Sequence, residues 1–151
     1  LDPFCGSGTI LLEAGQIYPE LELYGSDRYP PAVTGAWENA VANGLGSRVH
    51  ICQADARDLA DVYPERFFQA IVTNPPFGIR VGRQTNFEYL YRRFLSGAWR
   101  VLRPRGRVVM LVHKRSIFNR LLQEQGGFRV RHVRVIETGD VYPLVFVLEK
   151  T

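Results

Sequence analysis

The sequence predicts an α/β fold built on a mostly parallel, doubly wound sheet, in which helices cover both faces. Short segments rich in β-branched and other apolar residues alternate along the chain with segments whose apolar residues recur at helical spacing. The last two strand-like segments, 130–136 and 144–148, follow each other without a helix, so we expect an antiparallel pair there. A chain of 151 residues with 46% hydrophobic content is long enough to bury a core.

The chain opens with a glycine-rich turn that leads into a predicted helix. Residues 1–9 read LDPFCGSGT, and residues 10–14 have helical character. Gly6 and Gly8 allow a ligand to approach the backbone closely. The turn is not a phosphate-binding P-loop, because no lysine follows its second glycine. It is also a poor dinucleotide-binding motif, because Leu11 occupies the third glycine position.

Acidic residues stand at the ends of three predicted strands. Asp2 opens the glycine turn, Asp27 ends a strand predicted over 21–27, and Asp55 follows a strand predicted over 48–52. If these strands are parallel neighbours, their carboxyl ends meet at one edge, and the three carboxylates converge on one crevice. The 25 residues from Asp2 to Asp27 are near the spacing at which nucleoside-binding folds place a carboxylate on ribose hydroxyls. Helix capping or turn formation is the alternative for Asp27.

The remaining helices and strands follow from apolar periodicity and turn residues. Residues 30–43 show helical spacing up to Asn43-Gly44, and Trp37 is expected in the core or in helix packing. Further helices are predicted over 87–102 and 117–125, with a turn at 104–106 and a strand buried on both faces at 108–112 between them. His113 directly follows that strand and is interpreted as structural.

The most informative stretch follows a short apolar strand at 70–72 and reads Asn74, Pro75, Pro76, Phe77, Gly78. The two prolines have no backbone N–H, so the loop offers mainly hydrogen-bond acceptors. Such a loop suits a group that only donates, such as the exocyclic amine of a nucleobase or an amide. Phe77 supplies a flat face for stacking, worth about 1–3 kcal/mol per base. The plainer alternative is a proline-rich turn with a core phenylalanine.

Charge is divided unevenly along the chain. Residues 1–60 hold three arginines and eight acidic residues, a net charge of −5, whereas residues 61–151 have a net charge of +9. Nearly all the basic residues are arginine, whose planar fork suits phosphates and bases. The basic half therefore indicates a polyanion partner, with a merely solvated surface as the alternative. Arg80 and Arg83, just after the Asn74 motif, are candidate phosphate contacts.

Cysteine content and apolar runs limit the compartment. Cys5 and Cys52 do not have a metal-ligand spacing, and two cysteines favour a reduced, cytoplasmic protein. No metal site is predicted. No apolar run approaches the roughly 20 residues of a membrane helix, and no signal peptide is visible.

Together these motifs resemble the class I S-adenosyl-L-methionine-dependent methyltransferases, which have a Rossmann-like fold. Residues 2–9 are similar to the family's methionine-binding loop, and residues 74–77 to the Asn-Pro-Pro-aromatic motif of enzymes that methylate amino groups. The resemblance implies catalytic roles for Asn74, Pro75, Pro76 and Phe77. The cofactor contacts it implies are Asp2, Phe4, Gly6, Gly8, Thr9, Asp27 on the ribose, Arg28, Asp55 with Ala56 on the adenine, and Asn74.

The sequence contains both DPFCGSGT and NPPFG-x-R, and this combination of motifs is similar to that of the THUMP-associated RNA methyltransferases that make N2-methylguanosine in tRNA. This resemblance implies methyl transfer to an exocyclic amine of a nucleobase in RNA, most directly N2 of guanosine. An N6-adenine methyltransferase on DNA or RNA, a protein glutamine methyltransferase and a catalytically silent RNA-binding module stay open. A nicotinamide-dependent oxidoreductase is disfavoured by the missing third glycine.

Residues 1–151 are expected to be a methyltransferase catalytic domain and the C-terminal part of a longer protein, with a THUMP-type RNA-binding region upstream. The glycine turn must follow a central strand, but no residues precede Leu1 to form it. That strand is expected between the strands that end at Asp27 and Asn74. Without it, these two strands would face each other across a gap, and their backbone N–H and C=O groups would be unpaired.

Overall fold

Helices and strands alternate along the chain, as predicted. The computed structural model describes residues 1–77, 84–137, 139 and 141–151. Its helices are α1 (Thr9–Ile17), α2 (Pro30–Ala42), α3 (Leu59–Val62), α4 (Phe87–Val101) and α5 (Arg115–Gln125). Its strands are β1 (Leu23–Asp27), β2 (Val49–Gln53), β3 (Phe68–Thr73), β4 (Leu102–Val112), β5 (Phe128–Val135) and β6 (Leu144–Lys150). The chain divides into a first unit, residues 1–56, and a second unit, residues 57–151.

The first unit is built on two parallel strands and the segment that precedes the glycine turn. β1 pairs in parallel with β2, and Asp2 forms a further parallel bridge with Gly25 of β1. The backbone of Leu23 bonds to the β2 side, whereas Tyr24 accepts a hydrogen bond from the Asp2 N–H at 2.9 Å. Because successive residues of a strand direct their hydrogen bonds to opposite sides, Asp2 lies on the side of β1 away from β2. The glycine turn therefore starts from a strand position beside β1.

Small residues allow the helices of the first unit to pack closely. The core comprises Cys5, Leu11, Leu23, Ala36, Ala40, Leu45 and Val49. A Cβ at Gly25 would lie 2.5 Å from Leu11 Cδ1, so only glycine fits there. Ala36 and Ala40 form the buried stripe of α2 and are fully buried. Of the two places predicted for Trp37, the core is wrong: the residue is 46% exposed, because it follows Ala36 on α2 and so points away from the buried stripe.

The second unit contains a four-stranded sheet in the order β3-β4-β6-β5. β3 and β4 are parallel, and β6 is antiparallel to both β4 and β5, which confirms the reversed hairpin predicted at the end of the sheet. Phe118 of α5 joins the core through edge contacts with Tyr91 of α4 and Phe146 of β6, at 5.3 and 5.0 Å between ring centroids. In the described ranges no helix is long and apolar enough to span a membrane.

Two predictions about β4 are corrected. The expected turn at 104–106 is a bulge inside the strand: Phe68 pairs with Leu102 and Ala70 with Arg107, so residues 103–106 lie opposite Gln69 alone. The strand is also not fully buried on both faces. Val108, Met110 and Val112 are buried, but the alternate residues Val109 and Leu111 are only half-buried. The helix α3 was not predicted, because four residues carry too little periodicity.

Two glycine substitutions test the backbone of the first unit. Gly8 has φ +87°, and an added Cβ would lie 3.3 Å from Ala36 Cβ. We expect Gly8→Ala to lower the free energy of unfolding by about 1–2 kcal/mol, the cost of a left-handed alanine. The control is Gly35→Ala in α2, where the added Cβ meets no atom within 4 Å and should stabilise by about 0.5–1 kcal/mol. Urea unfolding measures both, and equal midpoints for the two variants would contradict the assigned backbone.

Candidate active site

The glycine turn at the start of α1 has an open, left-handed backbone. Gly6 and Gly8 have φ values of +52° and +87°, and Gly8 precedes the first residue of α1. The turn is tied to β1, because the Cys5 N–H donates to the Ser26 carbonyl at 3.0 Å. A Cβ added at Gly6 would meet no atom within 4 Å. The backbone at Gly6 therefore faces open space that a ligand can enter.

Asp27 connects the end of β1 to this turn. Its Oδ2 accepts a hydrogen bond from the Gly6 N–H, and its Oδ1 accepts one from the Tyr29 N–H, both at 3.0 Å. The second bond is the turn-forming role considered from the sequence, and it leads the chain into α2. Each carboxylate oxygen can accept more than one hydrogen bond. Asp27 therefore organises the glycine turn and still has acceptor capacity for hydroxyl groups.

The first unit brings the predicted strand-end acids near one another. Asp2 is 2% exposed, and its Oδ1 accepts a hydrogen bond from the Phe4 N–H at 3.1 Å. Burial, together with the smaller effects of the Asp2 and Asp27 charges, raises the pKa of the Cys5 thiol to about 12, so both carboxylates act on one thiol. The Ala54 N–H donates to the Asp27 carbonyl at 3.1 Å, which places half-buried Asp55 just beyond that contact.

The other predicted cofactor residues of the first unit occupy varied surroundings. Ala56 is buried and Phe4 is half-buried. Thr9 is exposed at the first position of α1, where its hydroxyl lies 3.4 Å from that of Ser7. Arg28 is exposed directly after β1, and its carbonyl accepts a hydrogen bond from the Gln53 side chain at 3.4 Å.

The Asn-Pro-Pro-Phe loop begins where β3 ends. Thr73, the last residue of β3, is 3% exposed, whereas Asn74 is exposed. Within the described ranges the Asn74 side chain has no hydrogen-bond partner. Pro75 is buried, and Pro76 is half-buried. The loop thus presents an exposed amide on a backbone stiffened by two prolines. Arg80 and Arg83 lie outside the described residues.

Phe77 packs against His113, which was interpreted as structural from the sequence but without this partner. Its ring stacks on the imidazole of His113, with centroids 5.6 Å apart and planes 21° apart. Thr73 of β3 pairs with Met110 of β4, so the two parallel strands end at the same edge. This strand-end rule, applied to His113 as it was to Asp27, would have placed the histidine beside the loop.

The segment after His113 is held by a buried tyrosine. Tyr91 of α4 is 1% exposed, and burial raises the pKa of its hydroxyl to about 12. That hydroxyl accepts a hydrogen bond from the backbone of Lys114, which opposes the rise. The Lys114 ammonium also lies 5.8 Å from the ring centroid of Phe87. These contacts fix the end of β4 and, with it, the surface on which Phe77 stacks.

The Cys5 thiol offers a test of the buried turn. Burial raises its pKa from 9.0 to about 12, so at about pH 8 we expect alkylation of Cys5 to be at least about tenfold slower than that of half-buried Cys52. Because the folded state binds this proton more tightly than the unfolded state, the associated stability is present below about pH 9 and is lost as the pH rises towards 12. Mass spectrometry after iodoacetamide treatment measures both sites. Equal labelling rates would contradict the burial of Cys5.

The fold and these residues define a Rossmann-like α/β domain of the nucleoside-binding type. Residues 1–143 match the UPF0020 family, an RMKL-like methyltransferase domain, and the chain belongs to that family. This assignment confirms the resemblance to class I methyltransferases drawn from the glycine turn and the Asn-Pro-Pro-Phe motif, and it agrees with the predicted fold class.

Similar proteins are known from several organisms. The crystal structure of TrmN from Thermus thermophilus aligns with a TM-score of 0.88 and 42% identity over 99% of this chain and 43% of that one. A T. thermophilus tRNA (guanine(6)-N2)-methyltransferase is 45% identical over 151 residues, 99% of this chain and 44% of that protein. The Bos taurus U6 snRNA (guanine-N(2))-methyltransferase THUMPD2 is 33% identical over 114 residues, 74% and 21% of the two chains. This chain spans less than half the length of these relatives.

Proposed function

We propose that this chain is the catalytic part of an S-adenosyl-L-methionine-dependent enzyme that methylates N2 of a guanosine in tRNA. The observation that carries the proposal is Asn74, an exposed amide without a hydrogen-bond partner among the described residues, at the end of a parallel strand and directly before two prolines. The relatives named above support guanine N2 as the acceptor and RNA as the substrate. A cytoplasmic location, expected from two free cysteines, fits a tRNA substrate.

The residues of the first unit fit the proposed cofactor. S-adenosyl-L-methionine, when bound, supplies an electrophilic methyl group on a sulfonium centre. The open backbone at Gly6 accommodates a ligand chain, and buried Asp2 provides negative charge for an ammonium group. Asp27 keeps acceptor capacity for ribose hydroxyls beyond its two backbone bonds. Asp55 is assigned to the amino group of adenine.

Asn74 and Pro75 are proposed to prepare the guanine amine. The lone pair of an exocyclic amine is conjugated into the ring, which makes the nitrogen a poor nucleophile. If the Asn74 Oδ1 and the Pro75 carbonyl each accept one N–H, the nitrogen becomes more tetrahedral and its lone pair is directed away from both acceptors. Such positioning can lower the barrier by several kcal/mol, within the roughly 7–11 kcal/mol available from orientation. No strong base is required, because the methylated ammonium loses its proton readily.

Phe77 is proposed to stack on the guanine base and so keep its amine within reach of Asn74 and Pro75. One face of its ring meets His113, and the base is proposed to stack on the other face. A base inside a helix cannot reach this loop, so the target guanosine is unpaired or leaves its stack. Arg80 and Arg83 are proposed as phosphate contacts flanking the base.

Methyl transfer by the intact protein tests the proposed function. Unmodified tRNA and labelled S-adenosyl-L-methionine are incubated with the enzyme, and the digested nucleosides are identified by mass spectrometry. We expect label in N2-methylguanosine. Label in N6-methyladenosine or in protein glutamine would replace this function with one of the alternatives considered from the sequence, and an absence of transfer would favour a silent RNA-binding module.

A further inference from the structure

The edge of the second unit's sheet carries an exposed basic strand. β5 stands last in the strand order, and every residue from 129 to 135 is exposed. Three of these residues, Arg129, Arg131 and Arg134, are arginines, and we call them the β5 arginine strip. Edge strands are usually short or covered, so a strand of eight residues with this composition calls for a physical explanation.

The register places the strip on the face of the second unit's sheet opposite α5. Arg107 of β4 lies opposite Glu149 of β6, and Glu149 lies opposite Arg129. Arg134 lies opposite Val145, which shares a face with Glu149, because the register shifts at Arg131, between Val130 and His132. Residues directly opposite on neighbouring antiparallel strands share a face. The next residues along, Val108 and Leu148, are fully buried on the other face, with which Phe118 of α5 packs through Phe146. The arginine face is therefore not the face against which α5 packs.

Local ion pairs neutralise only part of this positive charge. Glu149 accepts a hydrogen bond from Arg131 at 2.6 Å and lies 3.8 Å from Arg107. In the ranges that the structure describes, the side chains of Arg129 and Arg134 have no hydrogen bond and no ion pair. One carboxylate is thus shared by two arginines, and among the described residues no carboxylate neutralises Arg129 or Arg134.

We propose that the β5 arginine strip binds the phosphate backbone of the RNA substrate. The inference deepens the proposed function and rests on it for the identity of the polyanion. Arginine forks bind phosphate in a bidentate way, and a row of them along a strand follows an extended backbone without reading sequence.

A second copy of the chain fits this edge poorly. Antiparallel pairing of two β5 strands about their midpoint would set Arg129 opposite Arg134 twice. Like charges directly opposite each other destabilise a strand pair. Charged side chains on an edge strand also oppose strand addition in general. The charge of the strip therefore favours a polyanion over self-association.

The test compares two double variants of the intact protein that remove the same net charge. Arg129→Gln/Arg134→Gln removes the two members of the strip that have no side-chain partner among the described residues. Arg92→Gln/Arg120→Gln is the control, because those arginines are already paired with Glu88 and Glu124 at 2.8–3.4 Å. Affinity for unmodified tRNA is measured over a salt series, with circular dichroism as the check on folding.

We expect the strip variant to lose about two units from the log–log salt slope, roughly one per phosphate contact. The control should stay within about half a unit of the wild type, and Arg129→Lys/Arg134→Lys should keep most of the slope because it keeps the charge. An unchanged slope in the glutamine strip variant would overturn the inference, as would an equal loss in the control. If either contrary result is found but the wild-type protein methylates tRNA, the inference about the strip fails and the proposed function stands. If the variants show the expected slopes but the wild-type protein transfers no methyl group to tRNA, the proposed function fails and the strip still binds RNA.

Discussion

Replacement of Asn74 by alanine should reduce methyl transfer to RNA by about 100- to 1,000-fold or more, while cofactor affinity stays within a few-fold. The expected size is that of removing one preorganised hydrogen-bonding group from a reacting centre. Alanine at this position leaves the prolines in place, so the loop keeps its stiffness but loses its side-chain acceptor. The loss should appear in kcat, because the interaction matters most as the nitrogen becomes tetrahedral.

Asn86→Ala is the matched control for this experiment. Asn86 is also exposed, but its Oδ1 accepts a hydrogen bond from the Tyr89 N–H at 3.0 Å and thereby caps α4. Its loss should cost about 0.5–2 kcal/mol of stability and leave turnover near the wild-type value. Single-turnover kinetics with saturating cofactor measure both variants. Near-normal turnover in Asn74→Ala would exclude the amine-positioning mechanism.

Asp27→Asn should weaken binding of S-adenosyl-L-methionine by about 10- to 100-fold, the equivalent of a lost hydrogen bond to a charged group. Both Asp27 oxygens accept backbone N–H groups, from Gly6 and Tyr29. An amide has one acceptor oxygen, so one of these bonds is lost, and the amide nitrogen would meet an N–H donor. The substitution therefore disorders the glycine turn as well as weakening the proposed ribose contact.

Glu22→Gln serves as the control for the Asp27 experiment. It removes one negative charge close to β1, where Glu22 forms an exposed pair with His50 at 2.9 Å. Such exposed pairs contribute little to stability. Isothermal titration calorimetry on the intact protein measures cofactor affinity for both. If Asp27→Asn binds the cofactor as tightly as wild type, or if Glu22→Gln is equally impaired, the assignment of Asp27 to the ribose is wrong.

Local sequence signals located most of the elements within two residues. α2 begins at Pro30 and ends before Asn43-Gly44, because proline suits the first helical turn and Asn-Gly suits its exit. The bulge at 103–106 could not be found in this way, since it depends on β3 pairing with β4 on either side of Gln69. The exposure of Trp37 likewise follows from which stripe of α2 faces the core, and Ala36 and Ala40 gave little apolar signal to reveal it.

The positions of site residues that lie at strand ends could be predicted from the sequence. Contacts between residues far apart in the chain could not. The end of β1 placed Asp27 at the glycine turn, but its bond to the Gly6 N–H depends on the left-handed bend of that turn. The stacking of Phe77 on His113 joins residues 36 positions apart and had no signal within either segment. The phosphate contacts assigned to Arg80 and Arg83 stay predictions.

The most direct test of the central claim removes a single amino group from the RNA. Once the methylated guanosine has been mapped in a tRNA transcript, that position is replaced by inosine, which lacks the exocyclic amine and keeps the rest of the purine. We expect methyl transfer to fall to background while the transcript binds the protein within a few-fold of the guanosine form. Undiminished methylation of the inosine transcript at that position would contradict transfer to guanine N2.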